Sequence, residues 1–273
     1  MADQAAYFRA AAASSAAAED PAVRKIALSD IGTALAQGWS DFRASPTHLV
    51  ILGLVYPAVG LVFGRIASGY NALPMIYPLV GGFALIGPIA AVGLYQMSKR
   101  REEGGDVTWR NAFDILGSPR LASIIVLGLM LGILFVAWLA VAKIIYNFTL
   151  GEVGTQSIGA LVEAAFTSKA GHALIFYGTS AGLLFAVVAL TVGVVSIPLV
   201  VDREVGASPA DEARVAVQTS LRAVAINPIP IAAWGVVVAA GLVLGTATLM
   251  VGFAVIMPVL GHATWHLYRK LVV

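Results

Sequence analysis

Residues 229–268 read IPIAAWGVVVAAGLVLGTATLMVGFAVIMPVLGHATWHLY, forty positions without one Asp, Glu, Lys or Arg. A single helix of that length would extend roughly 60 Å at about 1.5 Å per residue, twice the roughly 30 Å of bilayer hydrocarbon. The stretch must therefore fold back on itself. Gly245-Thr246-Ala247-Thr248 is the natural place for a tight turn, which leaves two helices of about 20 residues, the length that crosses a bilayer.

Outward from this stretch, further uncharged runs lie at about 47–64, 74–97, 121–142 and 173–201, and with the divided last run they make six spans. Composition agrees: 59% of the 273 residues are hydrophobic and 12% are charged, against about 25% charged in soluble domains. Mean hydropathy is +0.87, too high for a soluble core with a solvated surface. The chain has no cysteine, so disulfides and thiolate-ligated metals are excluded.

Basic residues sort by side. Arg9, Arg24, Lys25 and Arg43 precede the first span; Lys99, Arg100, Arg101, Arg110 and Arg120 fall in the second loop; Arg203, Arg214 and Arg222 fall in the fourth; Arg269 and Lys270 follow the last. Fourteen of the seventeen thus share one side, leaving Arg65, Lys143 and Lys169 on the other. This positive-inside bias predicts that both termini are cytoplasmic. Residues 1–25, rich in Ala and lacking the apolar core of a signal peptide, read as a disordered tail or a short Ala-rich helix; residues 26–273 form the membrane domain.

Three segments read alike: GWSDFRASPTHLVILGLV from Gly38, AFDILGSPRLASIIVLGLM from Ala112 and SLRAVAINPIPIAAWGVVV from Ser220. Each runs from an amphipathic stretch through Ser45-Pro46, Ser118-Pro119 or Asn227-Pro228 into a span. Ser and Asn cap orphan N–H groups at a helix start, and Pro is preorganised at its first position. Asp41 and Asp114 sit at the same offset, five before their prolines, and the returning helices each carry one proline, Pro88, Pro198 and Pro258. The expected fold class is an all-α membrane protein of six transmembrane helices arranged as three hairpin repeats, about 26–105, 106–205 and 206–273. Each repeat is preceded by an amphipathic cytoplasmic helix.

The first of these helices places Leu28, Ile31, Leu35, Trp39 and Phe42 three or four apart; Ser208-Pro209 with Asp211 and Glu212 opens the third. They are expected on the inner leaflet or under the bundle. The outer loop at about 144–172 contains Leu161, Val162, Ala165 and Phe166, spaced for a short interfacial helix.

His262 and His266 stand one helical turn apart, and with His48 they could ligate a metal or haem; the plainer expectation is hydrogen bonding beside Trp265 and Tyr268. No ionisable side chain falls mid-span, which argues against proton-coupled transport. A conduit lined by Thr179, Ser180, Thr191 and Ser196 remains as an alternative. No phosphate-binding loop, dinucleotide fingerprint, nucleophile elbow or HExxH is present, so no catalytic residue is assigned.

The stretches GLYQMSKRREEGGDVTWRNAFDILGSP (Gly93–Pro119) and PVLGHATWHLYRKLV (Pro258–Val272) resemble a proteobacterial family of integral membrane proteins known only as a domain of unknown function. The resemblance implies a six-helix inner-membrane protein and carries no catalytic residues. The expected function is a non-enzymatic accessory, scaffold or assembly component. The alternatives are a channel or carrier for a neutral solute, bent at the three prolines, and a metal- or haem-handling protein. The expected partners are the lipid bilayer and other membrane proteins, not nucleic acid.

Overall fold

The computed structural model describes residues 21–44, 78–79, 82, 85, 87–151, 158–248 and 251–273. Among these, the regular elements are helical: α1 (Leu28–Ala44), α2 (Gly87–Ala90), α3 (Val92–Glu102), a 3₁₀ segment (Trp109–Gly117), α4 (Leu121–Thr149), α5 (Ile158–Thr167), α6 (Lys169–Asp202), α7 (Pro209–Ile226), α8 (Pro228–Ala247) and α9 (Phe253–Leu271). The short helix expected within 144–172 is present as α5. An isolated antiparallel bridge joins Val23 to Val272.

Among the described residues α4, α6 and α8 are long and apolar enough to cross a membrane. This is three candidates where the sequence suggested six. The first run, 47–64, and most of the second, 74–97, lie outside the described residues. The last run does divide into two helices, but α9 is not among the three. Its second half carries His262, His266, Arg269 and Lys270, and it is buried against protein from Leu260 onward at most positions.

Helix α6 shows the same division along its length. Its 34 residues extend roughly 51 Å at about 1.5 Å each, well beyond a bilayer core. Phe176, Tyr177, Leu183, Leu184 and Val187 are exposed, whereas every residue from Gly193 to Val201 is buried. Apolar exposure on that scale has no place in water, so the first part faces lipid. The last part stands in a protein layer built by the amphipathic elements: α7 packs on α6, α1 on α9, and the 3₁₀ segment on α3.

Local sequence explains some element boundaries. Ser208 Oγ accepts the Asp211 N–H at 3.2 Å, and Pro209 occupies the first position of α7. The α8–α9 turn comes later than expected, after Ala247, because Gly245 stays helical and receives the Phe253 ring against its bare backbone. Thr248 Oγ1 then accepts the Gly252 N–H at 2.9 Å and closes the turn.

Two expectations are corrected. The second amphipathic element is a 3₁₀ segment, not an α-helix. Thr108, Asn111 and Asp114 recur every third residue and bond to one another, Asn111 Oδ1 accepting from Thr108 N and Asn111 Nδ2 donating to Asp114 Oδ2 at 2.9 Å. Side chains three apart eclipse in a 3₁₀ turn, which favours that ladder. Asn227, expected as a cap for α8, turns away from it; its side chain accepts from Ile26 N at 2.8 Å and donates to Arg24 and Ala223 carbonyls at 3.0 Å. Residues 22–24, part of the segment read as a tail, also run beside the C-terminus, with Arg24 N–H donating to Leu271 O.

Candidate functional site

A close helix crossing builds the site. A Cβ on Gly38 would stand 2.6 Å from the Ala263 backbone nitrogen, so only glycine lets α1 lie directly on α9. Ile31, Ala34 and Phe42 bury on the same face. That contact carries Asp41, 7% exposed, to the two histidines of α9, with Ser98 and Arg101 of α3 completing the group.

Asp41 holds the group together. Its Oδ2 accepts from Ser98 Oγ at 2.6 Å and from His266 Nε2 at 2.8 Å, and its Oδ1 accepts from Arg101 Nη1 at 2.6 Å. Ser98 Oγ also lies 2.8 Å from His262 Nδ1. The serine has one proton, which goes to Asp41, so its lone pair accepts from a protonated Nδ1 of His262. A buried carboxylate is costly unless it is paired and hydrogen-bonded, and three donors meet that need. Burial pushes the Asp41 carboxyl up, but the hydrogen bonds from His266 and Ser98 outweigh it and hold the group below the ordinary 3.8.

A second node lies beside it, where α3, α6 and α9 end. Asp202 Oδ2 accepts from Tyr268 Oη at 2.6 Å and Arg269 at 3.3 Å, and Arg203 pairs with it at 3.1 Å. Lys99 reaches Asp202 Oδ1 at 3.7 Å. Glu102 lies between the two nodes, 4.0 Å from His266 Nδ1 and paired with Arg269 at 3.2 Å, and it accepts from Trp265 Nε1 at 3.2 Å. Across the layer, Ser123 of α4 donates to buried Glu212 of α7.

Of the residues named from sequence for metal binding, His262 and His266 come together and His48 lies outside the described residues. His262 Nδ1 is 3.9 Å and His266 Nε2 2.8 Å from Asp41 Oδ2; the shorter is a hydrogen-bond length. Among the described residues no group of three or more His, Cys, Asp or Glu side chains is placed to hold a metal. The Ser98–His262–Asp41 grouping differs from a hydrolytic triad, in which the acid orients the histidine and the histidine takes the serine proton. Here Ser98 donates its hydrogen bond to the Asp41 carboxylate and not to His262, and Ser98 is 1% exposed.

Above this layer, α3, α6, α8 and α9 surround an apolar space of about 430 Å³. Pro88 is among its described wall residues; Pro198 and Pro258 are not. Ser196, suggested as a conduit residue, donates to Val192 O of its own helix.

Residues 76–202 match the family described as "Predicted integral membrane protein (DUF2189)". The apolar helices agree with that description, and the chain is an integral membrane protein. The DUF2189 match includes Ser98, Arg101 and Asp202 and stops short of α1 and α9, which supply Asp41 and the histidines. No curated protein and no solved structure matches the chain.

Sequence reading singled out His262 and His266 by their spacing and Asp41 by its offset, but missed Ser98, Arg101, Glu102 and Asp202. Arg101 reads from sequence as one of the basic residues of the second loop, and no local motif marks Ser98, Glu102 or Asp202. The one available signal was that each sits at the end of a returning helix.

Proposed function

We propose that this is a multi-pass inner-membrane protein of six spans in three repeats, with both termini cytoplasmic, acting as a non-enzymatic accessory or assembly component. The observation that carries the functional reading is the Asp41 cluster. The residues most capable of chemistry, Asp41, Ser98, His262 and His266, are buried and engaged in tying α1, α3 and α9 together. They make a stiff cytoplasmic plate. On its rim Trp39, Trp109, Phe113, Leu116 and Leu221 are exposed, a surface that packing against a partner would cover.

The repeat reading is supported by cyclic packing. The amphipathic element of each repeat lies on the returning helix of the repeat before it, and the first closes the ring on the third: 3₁₀ segment on α3, α7 on α6, α1 on α9. Copies running in the same direction are related by an axis near the membrane normal. The topology draws support from Lys99, Arg203 and Arg269 meeting at one end of the bundle, while Lys143 lies near the far end of α4.

The test is photo-crosslinking in native membranes, with a benzophenone amino acid placed at Trp39, Phe113 or Val243. A discrete protein adduct at the first two positions, absent from the lipid-facing third, is the expected result. Lipid adducts alone at all three would remove the accessory reading.

A further inference from the structure

The space between α3, α6, α8 and α9 is the feature that this reading leaves unused. Its 430 Å³ falls within the roughly 300–1,000 Å³ of small-molecule sites. No charged side chain is among the described wall residues, and the hydroxyl-bearing ones are Tyr95 and Thr264. Both belong to the cytoplasmic half of their helices, Tyr95 one turn before Ser98.

The wall also shows how the space is reached. Leu183 and Val187 of α6, and Val236 and Ala239 of α8, line it and are exposed as well, Leu183 at 65% and Val236 at 68%. Residues that line a cavity and remain exposed mark its mouth. Helices α6 and α8 are both long and apolar enough to span the membrane, so that mouth opens sideways into hydrocarbon. A molecule entering there comes from the bilayer.

We propose that the chamber binds one neutral single-chain lipid, with its chain between α6 and α8 and an uncharged oxygen head, such as an alcohol, at Tyr95 and Thr264. Thr264 Oγ1 donates its proton to Leu260 O at 2.7 Å and is hydrogen-bonded to Tyr95; the tyrosine proton therefore goes to Thr264, and the Tyr95 oxygen accepts from the head hydroxyl. A carboxylate or phosphate head would be buried against a wall without a cation, an arrangement that apolar surroundings oppose. This inference is independent of the accessory role, since the chamber and the rim of the plate are different surfaces.

The experiment titrates the purified full-length protein in detergent with three pyrene-labelled probes: a long-chain alcohol, the matching fatty acid at neutral pH and a phosphatidylglycerol. Saturable binding of the alcohol near one per chain is expected, at least tenfold tighter than the two anions. Ala239→Phe, at the mouth, weakens it at least tenfold. Ala240→Phe, on the adjacent exposed position outside the wall, leaves it unchanged. Val236→Phe is a second mouth variant should the first unfold, and Tyr95→Phe weakens the alcohol without closing the mouth. The proposal is overturned if the alcohol does not saturate, if an anionic probe binds as tightly, or if the mouth variants and Ala240→Phe behave alike.

Discussion

Replacing Asp41 by Asn keeps the shape of the side chain and removes its charge, so it isolates what the carboxylate does. Asparagine has one acceptor oxygen, whereas Asp41 uses both oxygens to receive Ser98, His266 and Arg101. The amide oxygen can face Ser98 and His266 only if the amide nitrogen faces Arg101, donor against donor. Arg101 is 39% exposed and can turn to solvent, so its share is discounted. The two buried donors then fall from charge-assisted bonds, about 1.5–3 kcal/mol each, to ordinary ones of about 1 kcal/mol. With the reorientation, the loss comes to about 3 kcal/mol. In a chain of this size each kcal/mol moves the unfolding midpoint by about 2–4 °C, so Asp41→Asn should lower it by about 6–12 °C. The control is Asp114→Asn at the same offset, five before its own proline, where the side chain is 50% exposed and the change should stay within about 0.5 kcal/mol. The assay is thermal unfolding in detergent followed by tryptophan fluorescence, since the Trp265 indole bonds Glu102 beside the cluster. Equal shifts for the two variants would refute the assignment of Asp41 as the tie.

Three further outcomes follow from the same geometry. Because the Asp41 carboxyl is held below its ordinary 3.8, its contribution is present above that value and disappears as pH falls through the lowered one; the gap between wild type and Asp41→Asn should be flat from neutral pH to about 5 and close only below about 4. Asn227→Ala strips Ile26 N–H of its side-chain acceptor and should cost about 2 kcal/mol, with trypsin cutting faster after Arg24 and Lys25. Gly38→Ala should separate α1 from α9 and destabilise by about 1–3 kcal/mol, whereas Gly32→Ala, with no atom within 4 Å of the added carbon, should raise stability by up to about 1 kcal/mol; circular dichroism melts distinguish them.

Helices were legible where periodicity or length was unambiguous. The forty-residue run had to divide, the Leu28–Phe42 spacing marked α1, and Ser208-Pro209 marked the start of α7. Hydropathy alone could not separate the part of a helix that meets lipid from the part that meets protein. Residues 194–201 are as apolar as those before them, yet they lie in the wrapped layer. The Asp41 cluster joins position 41, the pair 98 and 101, and the pair 262 and 266 from three helices, and no local pattern links one helix's members to another's. Asp41 and Asp114 match in sequence but part in structure, one buried between helices and the other beside Asn111 at the surface. The difference comes from what each faces: Gly38 allows α1 to settle onto α9, while the 3₁₀ ladder keeps Asp114 turned outward.

The pairing of Val23 with Val272, reinforced by Val273 N–H to Ala22 O at 3.0 Å, has a topological consequence. It places residues 22–24 beside 271–273, so the order in which the chain visits its elements could be rotated. A short linker from Val273 back to residue 21 would span almost no distance. New ends could be opened at Gly104–Gly105, an exposed turn where Gly104 has φ of 75°. Every tie described for Asp41, Asp202 and Asn227 would survive such a circular permutation, because none of them depends on where the polypeptide starts.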